Sequence, residues 1–392
     1  MPDYKYLIIG GGMTAGAAVN GIRQVDASGS IGVLASENYP PYNRPPLSKA
    51  LWKGESLEII WRTTATANVT IHTSTTATTV ELRNKKVLDD AGKQYSFQKL
   101  LLATGGTVRR LPGAPDGIIY FRTLDDYQQL RGLAERGESF VVIGGGFIGS
   151  EVAAALAMNK KKVTMVFPED GIGARVYPGR LSSFINSYYT SKSVQVFAKD
   201  GVAAIEKSSA RYNVKTTSGK ELSVDGVIAG LGITPNIDLA RQASLTVDNG
   251  VHVDELLRTS HPDVYAAGDV ANFQSHSLGK RVRVEHEDNA NTMGAIAGKN
   301  MAGSAVPYRH IPFFYSDLFD LGYEAVGELD ARLEMVEDWK DEFREGVVYY
   351  LERGRVRGVL LWNTWSQVDH ARALIAEPGP FNAQNLKGRL PA

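Results

Sequence analysis

Two glycine turns carry the clearest chemical signal in this chain. The first, G-G-G-M-T-A, sets Gly10, Gly12 and Ala15 in a G-x-G-x-x-A spacing, directly after the apolar run Tyr6 to Ile9 and ahead of an alanine-rich segment. In a strand, turn and helix each position has a physical task. Gly10 permits the tight turn, Gly12 lets the backbone approach a pyrophosphate, and a small third residue allows close helix-strand contact at the positive end of the helix dipole. The second copy, G-G-G-F-I-G, has the full G-x-G-x-x-G spacing at Gly144, Gly146 and Gly149, with Phe147 and Ile148 inside the turn.

Each turn has an acidic companion. Glu37 closes the second apolar strand, I-G-V-L-A-S-E, where a carboxylate would take the two hydroxyls of an adenosine ribose. Glu169 lies 20 residues beyond Gly149, just after the strand K-V-T-M-V-F. A carboxylate there accepts from a ribose 2′-OH and repels a 2′-phosphate, so NADH is expected over NADPH. Lys160, Lys161, Lys162 and Arg175 stand nearby as counter-charges.

Composition narrows the chemistry further. The chain of 392 residues has no cysteine, which excludes disulfides, thiolate metal sites and thiol redox mechanisms. No metal site is expected. Basic and acidic residues each total 43, so no bulk field collects nucleic acid or an anionic membrane. No uninterrupted apolar run reaches the ~18 residues of a membrane span, and a cytoplasmic location is expected. Two dinucleotide fingerprints without a cysteine point to a bound flavin that takes hydride from a nicotinamide.

The elements that must position these residues form two βαβ beginnings and a different C-terminal texture. Between the turns, the Thr-rich stretch 63–79 reads as exposed antiparallel strand, and K-V-L-D-D-A-G-K-Q-Y-S-F as a hairpin turning near Ala91 and Gly92. From about Pro307, G-V-V-Y-Y-L-E-R-G-R-V-R-G-V-L-L-W-N reads as two strands joined at Arg353 and Gly354, with a helix over 367–376. The expected class is α/β, with two Rossmann-like three-layer domains and a C-terminal α+β domain of dimerisation type.

Several co-linear segments carry a family resemblance: P-Y-N-R-P-P-L-S-K-A-L-W, K-L-L-L-A-T-G-G-T, V-V-I-G-G-G-F-I-G-S-E, G-L-G-I-T-P-N, V-Y-A-A-G-D-V, R-V-E-H-E-D-N-A and Y-S-D-L-F-D-L-G-Y-E-A-V-G. Over nearly its whole length the chain resembles FAD-dependent pyridine nucleotide oxidoreductases. It looks most like apoptosis-inducing factor and its bacterial relatives, with ferredoxin and rubredoxin reductases next. The resemblance implies a discontinuous FAD domain (1–113 and 235–306), an inserted NAD(H) domain (114–234) and a C-terminal domain (307–392). Its return link is G-L-G-I-T-P-N, which contains Gly232.

Carried over by motif, Asp269 resembles the aspartate on the flavin ribityl chain, Thr104 and Gly105 the turn passing near FAD, and Arg122 a flavin-contacting arginine. Glu285 and His286 match neighbours of the isoalloxazine and nicotinamide, His286 as proton donor or as packing side chain. Tyr315 stands where relatives often have tryptophan, and Glu324 follows in the same pattern. Phe147 is expected over the flavin until NADH displaces it. Lys49 and Glu151 match a lysine-glutamate pair beside flavin N5, while Arg44 suits the FAD pyrophosphate. Two prolines should hold the segment after Glu37 as a rigid approach to a helix containing Lys49.

The resemblance implies FAD and NAD(H) as cofactors and hydride transfer from nicotinamide C4 to flavin N5. It leaves the acceptor open among a quinone, another small molecule and a ferredoxin or rubredoxin, with a homodimer as the expected assembly. The alternative is a redox-sensing binding protein in which a long-lived charge-transfer complex changes association state. No acidic, Ser-rich C-terminal insertion and no basic excess support a death function.

Overall fold

The computed structural model describes residues 2–64 and 68–390. The chain divides into two compact units, each assembled from separated stretches. Residues 1–43, 57–107 and 234–312 form the first, and 44–56, 108–233 and 313–392 the second.

In the first unit, the strand Asp3–Ile9 lies between Ile31–Leu34 and Gln94–Leu102, parallel to both. Its residues Leu7, Ile8 and Ile9 are buried from both faces, which is why this run is continuously apolar instead of alternating. Val264–Ala266 adds a late parallel strand beside Gln94–Leu102. Small residues let the helices Met13–Arg23 and Glu287–Met301 touch. A Cβ on Gly21 would fall 2.2 Å from the Ala295 carbonyl oxygen, and one on Gly298 2.1 Å from that of Ala18.

The Thr-rich stretch departs from expectation. Val69–His72 pairs parallel with Ile31–Leu34, extending the parallel sheet, and only Ala77–Glu81 forms the antiparallel partner of Lys86–Asp89. Threonine suits any pleated, half-exposed surface, so composition could not separate the two pairings. Residues 65–67 of that stretch lie outside the described residues.

In the second unit, Ser139–Ile143, Lys162–Val166, Val194–Phe197 and Gly226–Ala229 form a parallel sheet that feeds the helix Phe147–Met158. Five antiparallel strands make the C-terminal sheet, ordered Phe313–Leu318, Leu321–Gly327, Arg355–Trp362, Glu345–Glu352 and Glu334–Asp341. The helix Val368–Ala376 follows. A 13-residue strap, 44–56, belongs to this unit although both its chain neighbours belong to the first. It forms the short 3-10 turns Pro45–Ser48 and Ala50–Lys53. Lys49 sits between them with φ −126° and ψ −95°, so the expected helix around Lys49 is absent. The backbone bonds here run i to i+3, from Lys49 N–H to the Pro46 carbonyl and from Trp52 N–H to the Lys49 carbonyl.

Candidate active site

The helix Phe147–Met158 is buried throughout from Gly149 to Leu156, yet that stretch contains a carboxylate, Glu151, which is 4% exposed. A buried charge of this kind needs a cation and full hydrogen bonding. Three groups supply them. Lys49 Nζ lies 2.7 Å from Glu151 Oε1. Ser316 donates to the same oxygen over 2.6 Å, and Ser48 donates to Oε2 over 2.6 Å.

The strap that brings Ser48 and Lys49 is fastened at its far end. Trp52 donates from its indole to the Leu47 carbonyl over 2.8 Å, and its own carbonyl accepts from Asn159 over 3.0 Å. Its ring meets Tyr127 edge-on with centroids 5.8 Å apart. At the near end, Arg44 donates Nη1 to the carbonyl of Arg122 over 2.9 Å, joining two of the expected flavin contacts. Thr123 and Asp126 form a capping box that fixes the helix start just beyond Arg122.

Aromatic groups continue the cluster. Lys49 Nζ stands 5.2 Å from the ring centroid of Tyr315, a residue 37% exposed. Tyr315 faces Glu324 across the antiparallel pair, and burial raises the Glu324 carboxyl above its ordinary range. Phe147, at the start of its helix, packs on Phe314 with centroids 4.9 Å apart. Phe314 in turn meets Tyr323, which stacks on Trp362 at 5.6 Å.

Both glycine turns are shaped for phosphate. The helices Met13–Arg23 and Phe147–Met158 begin at Gly12 and Gly146, with no side-chain cap and no acidic residue in the first turn. Their leading N–H groups are left for an anion. A Cβ on Gly12 or Gly146 would meet nothing within 4 Å, so each glycine opens onto free space at a helix N-terminus. Gly10 and Gly144 have φ of +123° and +109°, and a Cβ on Gly149 would fall 2.0 Å from the Gly144 carbonyl oxygen. The same motif therefore contains glycines needed by the fold and one that suits a ligand.

The acidic companions differ in setting. Glu37 lies three residues past the end of Ile31–Leu34 instead of closing that strand, and accepts from the Tyr42 hydroxyl over 2.6 Å. Glu169 meets Arg175 at 2.6 Å, and the arginine side chain is 82% exposed.

The remaining expected residues of the first unit form two local arrangements. Thr104 donates its hydroxyl to the Asn236 carbonyl, while Asn236 donates its amide to the Thr104 carbonyl and its backbone N–H to Gly105. Arg283 joins the second arrangement, donating to the Asp269 carbonyl over 3.0 Å and pairing with Glu285 at 2.7 Å. His286 begins the helix Glu287–Met301. Burial pushes its imidazole down to about 4 against the pull of Asp269 and Asp288, which makes it neutral at pH 7 and disfavours it as a cationic acid. Gly232 has φ of +79°, and its carbonyl accepts from Arg109 N–H.

Ser48, Ser316, Asn236 and Arg283 were not singled out in the sequence. Ser48 adjoins Lys49, and Asn236 directly follows G-L-G-I-T-P, so adjacency could have found both. Nothing local marks Ser316, whose partner is 165 residues away.

The family described as pyridine nucleotide-disulphide oxidoreductase matches residues 4–294. The chain belongs to that family. The C-terminal family of mitochondrion-associated apoptosis-inducing factor matches residues 297–340 and 334–377. Apoptosis-inducing factor 1, mitochondrial, from Dictyostelium discoideum is 33% identical over 95% of this chain and 78% of its own length. The ferredoxin reductase subunit of 5,5'-dehydrodivanillate O-demethylase from Sphingobium sp. is 32% identical over 96% of this chain and 94% of its own. Among solved structures, the covalent putidaredoxin reductase-putidaredoxin complex superposes with a TM-score of 0.90 at 29% identity, covering 98% of this chain and 96% of that one.

This pyridine nucleotide-disulphide oxidoreductase is an NAD(P)H-dependent flavoenzyme with FAD and NAD(H) as cofactors, and the two glycine turns fit such dinucleotides. Having no cysteine, it belongs to the family without being able to form the disulphide of the family's description. Among the described residues no helix is long and apolar enough to cross a membrane.

Proposed function

We propose that the protein is an NADH oxidoreductase that reduces its FAD and passes the electrons to a separate acceptor. The observation that carries this reading is the Lys49–Glu151 pair, one helical turn beyond Phe147 and enclosed by Ser48 and Ser316. Flavin, when bound, accepts hydride from nicotinamide C4 and releases electrons singly or in pairs, so the protein's work is mainly positioning.

In this proposal Gly10, Gly12, Ala15, Glu37, Arg44, Thr104, Gly105, Arg122, Asp269, Glu285 and His286 hold FAD. Gly144, Gly146, Ile148, Gly149 and Glu169 hold NADH, with Glu169 selecting the 2′-hydroxyl. Lys49 presents a positive charge at the hydride-accepting edge of the flavin, and Glu151 keeps that ammonium in place. Phe147 gates the nicotinamide position, while Tyr315 and Glu324 border it. The acceptor class comprises a quinone, another small molecule or a ferredoxin or rubredoxin. A cytoplasmic location and a homodimer complete the proposal, which fractionation and gel filtration test.

Anaerobic titration of the yellow protein with NADH tests the function. Rapid bleaching followed by reoxidation with one acceptor supports it. A long-wavelength band that persists in air, with a change in elution volume, would instead assign redox sensing.

A further inference from the structure

Trp365 is 50% exposed, the most exposed large apolar side chain among the described residues. Its loop is fixed at several points. Asn363 exchanges hydrogen bonds with Gly322 through its backbone N–H and its side-chain oxygen, and donates its amide to the Arg344 carbonyl. Thr364 donates to the Gly346 carbonyl. Asn363 and Ser366, on either side, have φ of +47° and +63°, a backbone that such residues hold only where neighbours enforce it. So constrained a loop holds the indole in one orientation and leaves a fixed aromatic surface accessible from solvent.

The ring shares a face of the C-terminal sheet with Tyr315 and Glu324, opposite the face that carries Phe314 and Ser316. Tyr315 pairs with Glu324 and Asp317 with Gly322, so these four residues share one face of the hairpin. A Cβ on Gly322 would come within 2.8 Å of the Trp365 ring, which places the indole on that face. The charges there are internally matched. Lys49 is held by Glu151, and Lys53 meets Asp317 at 2.8 Å. Burial raises the Glu324 carboxyl, with the Ser366 backbone N–H acting in the opposite direction. Such a face offers aromatic area beside lysines whose charges are already paired. It suits a neutral flat molecule better than a charged protein partner, whose selection relies on unpaired surface charge.

We propose that Trp365 is the stacking face for a neutral, planar electron acceptor of the quinone class, flanked by Tyr315; this rests on the NADH oxidoreductase reading above. The overall reaction is NADH + H+ + quinone → NAD+ + hydroquinone. Two electrons leave the nicotinamide and both quinone oxygens become hydroxyls, one hydrogen arising from the hydride and the other from solvent.

The test is steady-state NADH oxidation by the FAD-loaded protein under anaerobic conditions, with p-benzoquinone or ferricyanide as acceptor. Loss of one aromatic face in Trp365→Ala should raise the benzoquinone KM about tenfold and move that for ferricyanide by under about twofold. Trp365→Phe should recover most of the difference. A benzoquinone KM unchanged in Trp365→Ala, or equal rises for both acceptors, overturns the inference while leaving the oxidoreductase reading intact. Reduction of a ferredoxin that is lost in Trp365→Ala, with benzoquinone saturation unaltered, also overturns it and assigns the ring to a protein partner. If NADH fails to bleach the unsubstituted protein, the underlying function falls and the inference with it.

Discussion

Lys49 and Ser316 converge on one oxygen, Oε1 of Glu151, at 2.7 and 2.6 Å. The carboxylate thus has a cation and a neutral donor on the same atom, with Ser48 on the other oxygen. Removing the lysine leaves two hydroxyl donors on a buried charge, a partial loss and not a complete one. Lys49→Ala should therefore cost about 1–3 kcal/mol of stability. It should slow flavin reduction by at least about tenfold through loss of a preorganised charge. Single-turnover reduction by NADH, measured beside FAD content, checks both. Reduction at the unsubstituted rate would remove the pair from the mechanism.

The glycines separate ligand binding from folding. Gly12 and Gly146 have φ of −87° and −84°, and both open onto free space, so alanine can be accommodated in the fold. Gly12→Ala should yield a folded protein with depleted FAD, whereas Gly146→Ala should stay yellow but bleach poorly with NADH. Circular dichroism and flavin absorbance give the two readings. Gly149→Ala, whose Cβ would strike the Gly144 carbonyl, should instead lower thermal stability.

Arg175 tempers Glu169. Its side chain is 82% exposed, so the pair contributes little to stability. It does place a positive charge beside the carboxylate that is proposed to reject a 2′-phosphate. Arg175→Ala should sharpen the preference for NADH over NADPH by about tenfold, the scale of removing one nearby screened charge. Ratios of kcat/KM for the two nucleotides provide the check, and an unchanged or reversed ratio would count against this role.

His286 gives a pH dependence of definite sign. Its folded pKa is lowered to about 4, chiefly by burial, below the ordinary histidine value of roughly 6.5. Between those values the unfolded chain binds a proton that the folded chain does not, so stability contributed by this group falls as pH drops through that window. His286→Asn should flatten the slope of denaturant stability between about pH 6.5 and 4. An equally steep slope in the variant would place its origin elsewhere.

Local patterns were legible because their physics is local. Strand, glycine turn and helix could be read twice, since each glycine answers to atoms a few residues away or to open space. The C-terminal hairpin could be read from its apolar strands and the Arg353-Gly354 turn, where both residues adopt positive φ. Pairing partners were less legible. Val69–His72 joins a parallel sheet because Ile31–Leu34 offers it an edge, a fact absent from threonine content. Lys49 lies outside a helix, its non-helical backbone separating two 3-10 turns, and no local residue pattern marks that break. Ser316 reaches Glu151 solely through tertiary approach.

Glu151 and its partners come from three distant parts of the chain: Ser48 and Lys49 from the strap, Ser316 from the C-terminal sheet, and the carboxylate from the helix Phe147–Met158. A gene fragment spanning 114–234 would preserve the glycine turn but strip the buried carboxylate of its cation and both hydroxyls. The segment 114–234 is consequently no transferable cassette. Grafted into another scaffold, it would expose its acid to water or need a substitute lysine and two donors built around it.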